Sequence, residues 1–441
     1  MKNYSRSEIL RMTEEEDVEF IRLQFTDMFG MLKNIAIPSS HLADALDEDC
    51  MIDLASLDGF SDEENVGLYL KPDFGTFSIL PWRPQNGKVA RFLCDLCTED
   101  GAEYEESPRF LLKRSLEKAA GMGYTFQLNP ECEFFLFHTD ENGTPTTLSH
   151  ERAGYLDTSP IDLGENTRRD IILTLEEMGY EIASSHHEIA AAQHEIDFAF
   201  EDALATADKV MTFKMAVRTI ARRYGLHATF MPKPRKEANG SGMHLHMRLL
   251  KNGKNVFAEE TGELSRDGEA FMAGILTHIA GMTAVFNPLV NSYKRLVPGF
   301  EAPSDVTWSK KQRNVLMYVQ KKRKGDLNLE LRSPDSAANP YLLAALCLEA
   351  GLDGIQKKLT APAELTEDIR RLTCEEKRMR GIQSLPENLG SALEAMQKDK
   401  LISDVLGEAF SLAYQRAKKK EWKSYLEQIT AWELDRYLYL V

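Results

Sequence analysis

The stretch from Gln127 to Phe137, QLNPECEFFLF, sets two carboxylates, Glu131 and Glu133, against a run of phenylalanines. It is short and aromatic-rich, and it reads as a β-strand entered through Pro130. Strand side chains alternate between faces, so Glu131 and Glu133 point the same way. Like charges at that spacing repel, and carboxylates are rarely buried without partners. Other segments repeat the theme. HHEIAAAQHEIDFAF supplies Glu188 and Glu195, its second half alternating as a strand does. MHLHMRLL, behind the glycine-rich NGSG, supplies His244 and His246, and LNLELRSPD supplies Glu330 and Arg332. Any one of these could be the solvated face of an antiparallel sheet. Four together, beside a Gly-rich turn, point to a shared cation site. Carboxylates with an imidazole suit Mg²⁺ or Mn²⁺, and five converging glutamates call for more than one ion.

A second theme is basic. NSYKRLVPGFEAPSDVTWSKKQRNVLMYVQKKRKG is rich in Lys and Arg and is broken by VPGFEAP. Arginine holds carboxylates and phosphates by two-point contacts. The plain reading is a solvated loop, or counter-charge for an acidic chain. Beside a divalent-cation site, the loop suits an anionic substrate or a phosphoryl group in transfer. The turn containing Glu301 puts a carboxylate on a loop able to close over the site.

The elements that must position these groups fall into two parts. The chain has 441 residues and a net charge of -16, enough for two domains and unlike a nucleic-acid-binding surface. The N-terminus shows no apolar signal segment, no apolar run is expected to reach membrane-spanning length, and six cysteines make no disulfide scaffold, so a reducing cytoplasm is expected. Cys94 and Cys97 form a C-x-x-C, best read as two strand cysteines. Residues 1–106 read as a small β-rich domain. It has a hairpin around Met28–Gly30 and strands at GTFSILPW and GKVARFLCDL split by the turn RPQNG. An acidic linker precedes a helix opening at Ser107-Pro108. Residues 107–441 mix helices and strands, so the expected class is α+β.

Several segments together resemble bacterial type I glutamine synthetases: ECEFFLF, AAQHEID, HATFMPKP, NGSGMH, NSYKRLVPGFEAP and RSPDSAANPY, in family order along nearly the whole chain. The resemblance implies a β-grasp-like N-terminal domain and a catalytic domain built on a curved antiparallel sheet. It also implies a dodecamer of two hexameric rings with each site between neighbouring subunits. The reaction implied joins glutamate and ammonia using ATP, through γ-glutamyl phosphate, with two or three Mg²⁺ or Mn²⁺ ions per site. By motif match, Glu133, Glu188 and Glu195 resemble one metal site, and Glu131, His244 and Glu330 a second. Asn239, Gly240, Arg295 and Arg332 resemble glutamate-holding residues. His246, Arg248 and Tyr155 fall on the nucleotide side. Arg313 resembles the arginine that stabilises the phosphoryl group. Glu301 resembles a flap glutamate that takes the amine proton, and Asp53 an ammonium-binding aspartate.

The chain departs from the family pattern in several places. Asp-Gly-Ser-Ser is here Asp53-Leu54-Ala55-Ser56. Phosphate-side arginines are replaced by Tyr318 and Asn328, a pocket serine by Arg248, and Pro-Gly before Gln193 by Ala191-Ala192. The basic run Lys321–Lys324 offers partial compensation. An arginine linked to regulation is Asp62, and the adenylylation insertion is missing, so no adenylylation control is expected. These changes leave two alternatives beside glutamine synthesis: a γ-glutamyl ligase for a larger amine, or an impaired paralogue with a regulatory or scaffold role.

Overall fold

The computed structural model describes residues 4–48, 50–57, 67–83, 86–321 and 326–441. Asp62 and the 322–324 part of the basic run lie outside the described residues.

The first sheet has six strands: β1 (Val18–Thr26), β2 (Leu32–Pro38), β3 (Met51–Asp53), β4 (Gly67–Pro72), β5 (Ser78–Ile79) and β6 (Lys88–Cys97). Their order is β2-β1-β6-β4-β3, with β5 beside β6. The β1–β2 hairpin turns where expected. Asp27 Oδ1 accepts the amides of Phe29 and Met31 at 3.0 and 2.9 Å, and Gly30 supplies the φ of +78° that the turn needs. GTFSILPW is not the full strand expected. Asp73 accepts Gly75 N–H at 3.0 Å and winds Phe74–Thr76 into a 3₁₀ turn, leaving two residues for β5. Helix α1 (Arg6–Glu15) and the short α2 (Leu42–Leu46) flank this sheet.

Helix α3 (Pro108–Gly121), with Pro108 in its first turn, leads into the second sheet. Its strands are β7 (Tyr124–His138), β8 (Ile182–His187), β9 (Gln193–Phe198), β10 (Glu201–Asp202), β11 (Leu226–Thr229), β12 (Met243–Lys251), β13 (Lys254–Asn255), β14 (Trp308–Ser309), β15 (Met317–Lys321) and β16 (Leu327–Leu331). The order is β14-β15-β16-β12-β7-β9-β8, antiparallel except for the β14–β15 edge. β7 starts well before Pro130, contrary to expectation. On one edge it pairs β10 through Leu128 and β9 from Glu131 onward. Pro130 falls in the gap between these ladders, where a missing N–H costs least.

Helices α4 (Glu165–Glu177), α5 (Ala203–Arg223), α6 (Arg266–Phe286) and α7 (Pro340–Lys357) follow, then the C-terminal α8 (Cys374–Met379), α9 (Leu389–Lys398), α10 (Lys400–Leu406), α11 (Glu408–Leu426) and α12 (Ala431–Tyr437). α6 corrects one expectation, since it is long and apolar enough to cross a membrane. Its most apolar window is 78% buried inside the protein, which makes it a core helix. It packs on α7 at glycine contacts. A Cβ on Gly274 would meet Ala350 O at 2.0 Å, and one on Gly354 would meet Ala270 O at 2.0 Å. The two sheets are tied by Arg109 of α3. Its guanidinium reaches Asp73 and Asp95 of the first part at 2.7 Å each, and Asp208 of α5 at 2.9 Å.

Candidate active site

Register and alternation build one polar face across the second sheet. Glu131 pairs with His244 on one side and Asp197 on the other, and Glu133 pairs with Glu195. His246 stands opposite Glu330, and Tyr318 of β15 pairs with Glu330 in turn. Residues two apart share a face. Glu131, Glu133, Gln193, Glu195, Asp197, His244, His246, Asn328 and Glu330 therefore lie on one side. Met243, Leu245, Met247, Leu329 and Leu331 lie on the other and join the core.

Donor atoms on that face form groups within 4.8 Å of one another: Glu131, His246 and Glu330; His186, Glu188 and Glu195; and Glu131, Glu195 and Asp197. These groups keep Glu131 with Glu330 and Glu188 with Glu195, as in the expected trios, and add His246 and His186. His246, expected on the nucleotide side, is 2.7 Å from Glu131 Oε1. His244 sits between the clusters, 3.2 Å from Glu131, 3.8 Å from Glu330 and 4.0 Å from Glu133.

Among the described residues, Glu133, Glu188 and Glu195 make no ion pair with a lysine or arginine, although all three are buried. Burial, and then Glu188, push the Glu133 carboxyl up to about 8. Burial and the neighbouring Asp197, Glu133 and Glu131 push Glu195 well above the carboxylate range. Glu131 goes the other way: against its burial, His246 and His244 hold it well below that range. Buried carboxylates short of positive charge, with imidazoles among them, are a donor set that fits divalent cations.

Glu133 is aimed from behind. Its Oε2 accepts Gln193 Nε2–H at 2.7 Å and Gly242 N–H at 2.9 Å. Gln193 also donates to Gly240 O at 3.1 Å, fastening the NGSG turn to the site. That turn leaves no room for side chains. A Cβ on Gly242 would lie 2.5 Å from Arg295 Nη2, and one on Gly240 would lie 2.1 Å from Pro232 O. Asn239 precedes it and is half-buried.

Arg295 is buried and donates to Ser333 O at 2.8 Å and Arg332 O at 3.2 Å. Arg332 pairs with Glu330. Glu301, on an exposed loop, feels the same site. The surrounding protein and Glu188 push its carboxyl up, while Arg332 and Arg295 oppose the shift. Tyr155 meets the His186 ring edge-on at 5.4 Å, on the rim. Arg313 is exposed, with Cζ 5.8 Å from the Tyr318 ring centroid. Two predicted residues stand apart. Arg248 shares the β12 face but is held by Asp326 and lies 3.9 Å from the Phe200 ring centroid. Asp53 ends the edge strand β3 of the other sheet, where it accepts Ala55 N–H at 3.0 Å.

Sequence reading passed over His186, Gln193, Asp197 and Gly242. The first three were within reach of the same period-two rule: His186 lies two before Glu188, and Gln193 and Asp197 flank Glu195 at two residues. Gly242 shows itself only through the contacts its backbone makes.

Residues 105–437 match the glutamine synthetase catalytic domain, and residues 17–99 match the glutamine synthetase beta-grasp domain. The chain belongs to the glutamine synthetase family. It is 50% identical to the glutamine synthetase of Clostridium saccharobutylicum over 440 residues, and 46% identical to that of Thermus thermophilus over 441, each alignment covering 99% of both chains. Among solved structures it resembles a GmaS/ADP complex, with TM-score 0.88 and 31% identity, covering 97% of this chain and 99% of that one. The first sheet is accordingly the β-grasp domain of this glutamine synthetase family member, and the second is its catalytic sheet.

Proposed function

We propose that this glutamine synthetase family member ligates ammonia to the γ-carboxyl of glutamate at the expense of ATP, forming glutamine through γ-glutamyl phosphate. The observation that carries the reading is the polar sheet face, which gathers Glu131, Glu133, Glu188, Glu195 and Glu330 with His244 and His246. Glu133, Glu188 and Glu195, with His186, would hold one divalent cation, and Glu131, His246 and Glu330, with His244 beside them, a second. Bound there, Mg²⁺ or Mn²⁺ supplies positive charge to the phosphates and substrate carboxylates.

The chain's own residues do the rest. Arg295, locked by backbone carbonyls, and Arg332, braced by Glu330, present fixed guanidinium donors to the glutamate and acyl phosphate. The Gly240–Gly242 turn packs directly against Arg295 and would present backbone, not side chains, to the substrate. The γ-carboxylate oxygen attacks the terminal phosphorus of ATP and ADP leaves. Arg313 from the rim offsets charge on the moving phosphoryl group. Ammonia then attacks the acyl carbon, Glu301 takes a proton from the incoming nitrogen, and phosphate departs. The loop carrying Glu301 would exclude water from the acyl phosphate. His246 and Tyr155 stand towards the nucleotide. Asp53 would come from a neighbouring subunit in a dodecamer of two hexameric rings in the cytoplasm, with the domains dividing at 106/107.

The test is phosphate release from glutamate and ATP, with ammonium and then a panel of amines. Ammonium-dependent release supports the reading. Release only with larger amines would shift the substrate to those amines, and none with any amine would leave an impaired paralogue.

A further inference from the structure

Behind the site, on the back of its own ligand-bearing strands, lies a second charged cluster. The dipeptide His-Glu occurs on two paired strands, at His187-Glu188 and His194-Glu195. β8 and β9 pair antiparallel with His187 opposite His194. Since neighbouring side chains alternate faces, each dipeptide turns its carboxylate to the site and its imidazole to the back. Both imidazoles are 0% exposed, their centroids are 4.9 Å apart, and Glu151, Asp162 and Arg168 are buried around them.

The hydrogen bonds assign the two Nδ1 nitrogens, while His187 Nε2 and His194 Nε2 make none. Arg168 donates Nη2–H to Asp162 Oδ2 at 2.8 Å and places Nη1 2.8 Å from His194 Nδ1. A guanidinium only donates, so His194 accepts at Nδ1 and carries its proton on Nε2. His187 Nδ1 lies 2.6 Å from Glu188 O, which only accepts, so there the imidazole donates. His187 Nε2 stands 3.3 Å from Glu151 Oε2, an ion-pair distance. The other Glu151 oxygen accepts Leu163 N–H at 2.7 Å, and Leu156 N–H donates to His187 O at 3.0 Å. One carboxylate therefore connects the 151–163 segment, with Tyr155 at the rim, to the peptide that carries Glu188.

A metal ion held by Glu151, Asp162, His187 and His194 is the rival reading, because their donor atoms lie within 4.8 Å of one another. Arg168 weighs against it. Its charge sits inside the group and already neutralises Asp162. It also donates to His194 Nδ1, where a metal-bound imidazole would itself need to donate outward.

We propose that Glu151 and His187 are positioning residues for the divalent-cation site, Glu151 acting through His187 to fix the Glu188 peptide and the Tyr155 segment together. This rests on Glu188 and Glu195 being cation ligands. Groups that orient a ligand from behind typically change metal affinity about 10- to 100-fold.

The test is Mn²⁺ binding to the full-length protein without substrates, read from the electron paramagnetic resonance signal of free Mn²⁺. Glu151→Gln keeps the shape and the acceptor for Leu163 but removes the charge facing His187. Its Mn²⁺ dissociation constant should rise about tenfold or more, with Glu151→Asp between it and wild type. Glu151→Asp is the fallback if Glu151→Gln does not fold. His278→Gln, a destabilising change in the helical layer, should leave Mn²⁺ binding at the wild-type value. If Glu151→Gln binds Mn²⁺ within twofold of wild type, or Glu151→Asp does where it is the fallback, the proposal is overturned. It is also overturned if purified wild type holds one extra ion per chain that the variant lacks while the remaining sites are unchanged, since the cluster would then be a metal site itself. A wild type that binds no Mn²⁺ at all removes the underlying reading of Glu188 and Glu195.

Discussion

Adding a divalent cation to the metal-free protein should release protons, and Glu133 sets how many. Its carboxyl sits near 8 because it is buried beside Glu188 with too little positive charge at hand. At pH 7 such a group is about 90% protonated, and because Glu133 and Glu195 titrate together as one pair, filling the site should expel about one proton from the two together. Protons compete with the ion, so the apparent Mn²⁺ affinity should rise about ninefold from pH 6 to 7, but only about twofold from pH 8 to 9. The same carboxyl makes the metal-free fold pH-sensitive. Its folded pKa is raised, so the native state holds the proton more tightly than the unfolded chain. Stability then falls as pH climbs from the unfolded value of about 4.5 towards 8, by up to about 5 kcal/mol, and added cation should restore it. The assay is calorimetric titration of Mn²⁺ in buffers of different ionisation enthalpy, repeated on Glu133→Gln, which has no proton to lose at that position. Release below about 0.2 proton per site at pH 7, or a flat affinity between pH 6 and 8, would refute a crowded, protonated carboxylate cluster.

Other perturbations probe the frame around the site. Arg109→Met leaves Asp73, Asp95 and Asp208 facing one another across the domain junction, and it should cost about 3–5 kcal/mol in a denaturant titration. His278 donates to Asp399 and faces Asp353, which Lys357 also reaches. Hydrogen bonding to Asp399 raises its pKa despite partial burial. Its stabilisation should therefore be complete below about pH 6.5 and lost as pH rises through the raised folded value. Melting temperatures of wild type and His278→Gln should converge at high pH. Gly242→Ala pushes a methyl against Arg295 and Glu133, so phosphate release should fall at least tenfold even where the protein stays folded. Arg248→Ser releases Asp326 and uncovers Phe200. If Arg248 supplies charge to ATP, the apparent KM for ATP should rise several-fold, and an unchanged ATP titration would make it a purely structural ion pair.

The site was legible because its main signal is a period of two. Glu131 and Glu133, His244 and His246, and Glu330 and Arg332 announce a shared face before any coordinates exist, and the register places those faces edge to edge. Pairing order and distance are not local properties, so the sequence alone could not say that His246 lies nearer Glu131 than His244 does. Nor could alternation reveal what the hidden face holds: His187 and His194 look like spare histidines until Arg168 and Glu151 are found behind them. The β5 region failed for a local reason, because an aspartate that captures the next turn's amides outweighs a strand-like run of Phe and Ile.

Asn328 shows why a missing charge cannot be read as a missing function. From family pattern it is an arginine lost from the phosphate side. In the fold it is fully buried, and its Nδ2 donates to His246 Nδ1 at 2.8 Å and to Gln320 Oε1 at 2.9 Å. That amide nitrogen lies between the two groups. Its donation to Nδ1 leaves His246 to donate from Nε2, which faces Glu131 at 2.7 Å. An arginine there would bring a charge. The asparagine brings a neutral chain of contacts from β15 to β7 that holds one imidazole in one tautomer beside a carboxylate the site depends on. The substitution therefore exchanges electrostatic stabilisation for orientation, and activity with ATP depends on which of the two the phosphoryl transfer needs more.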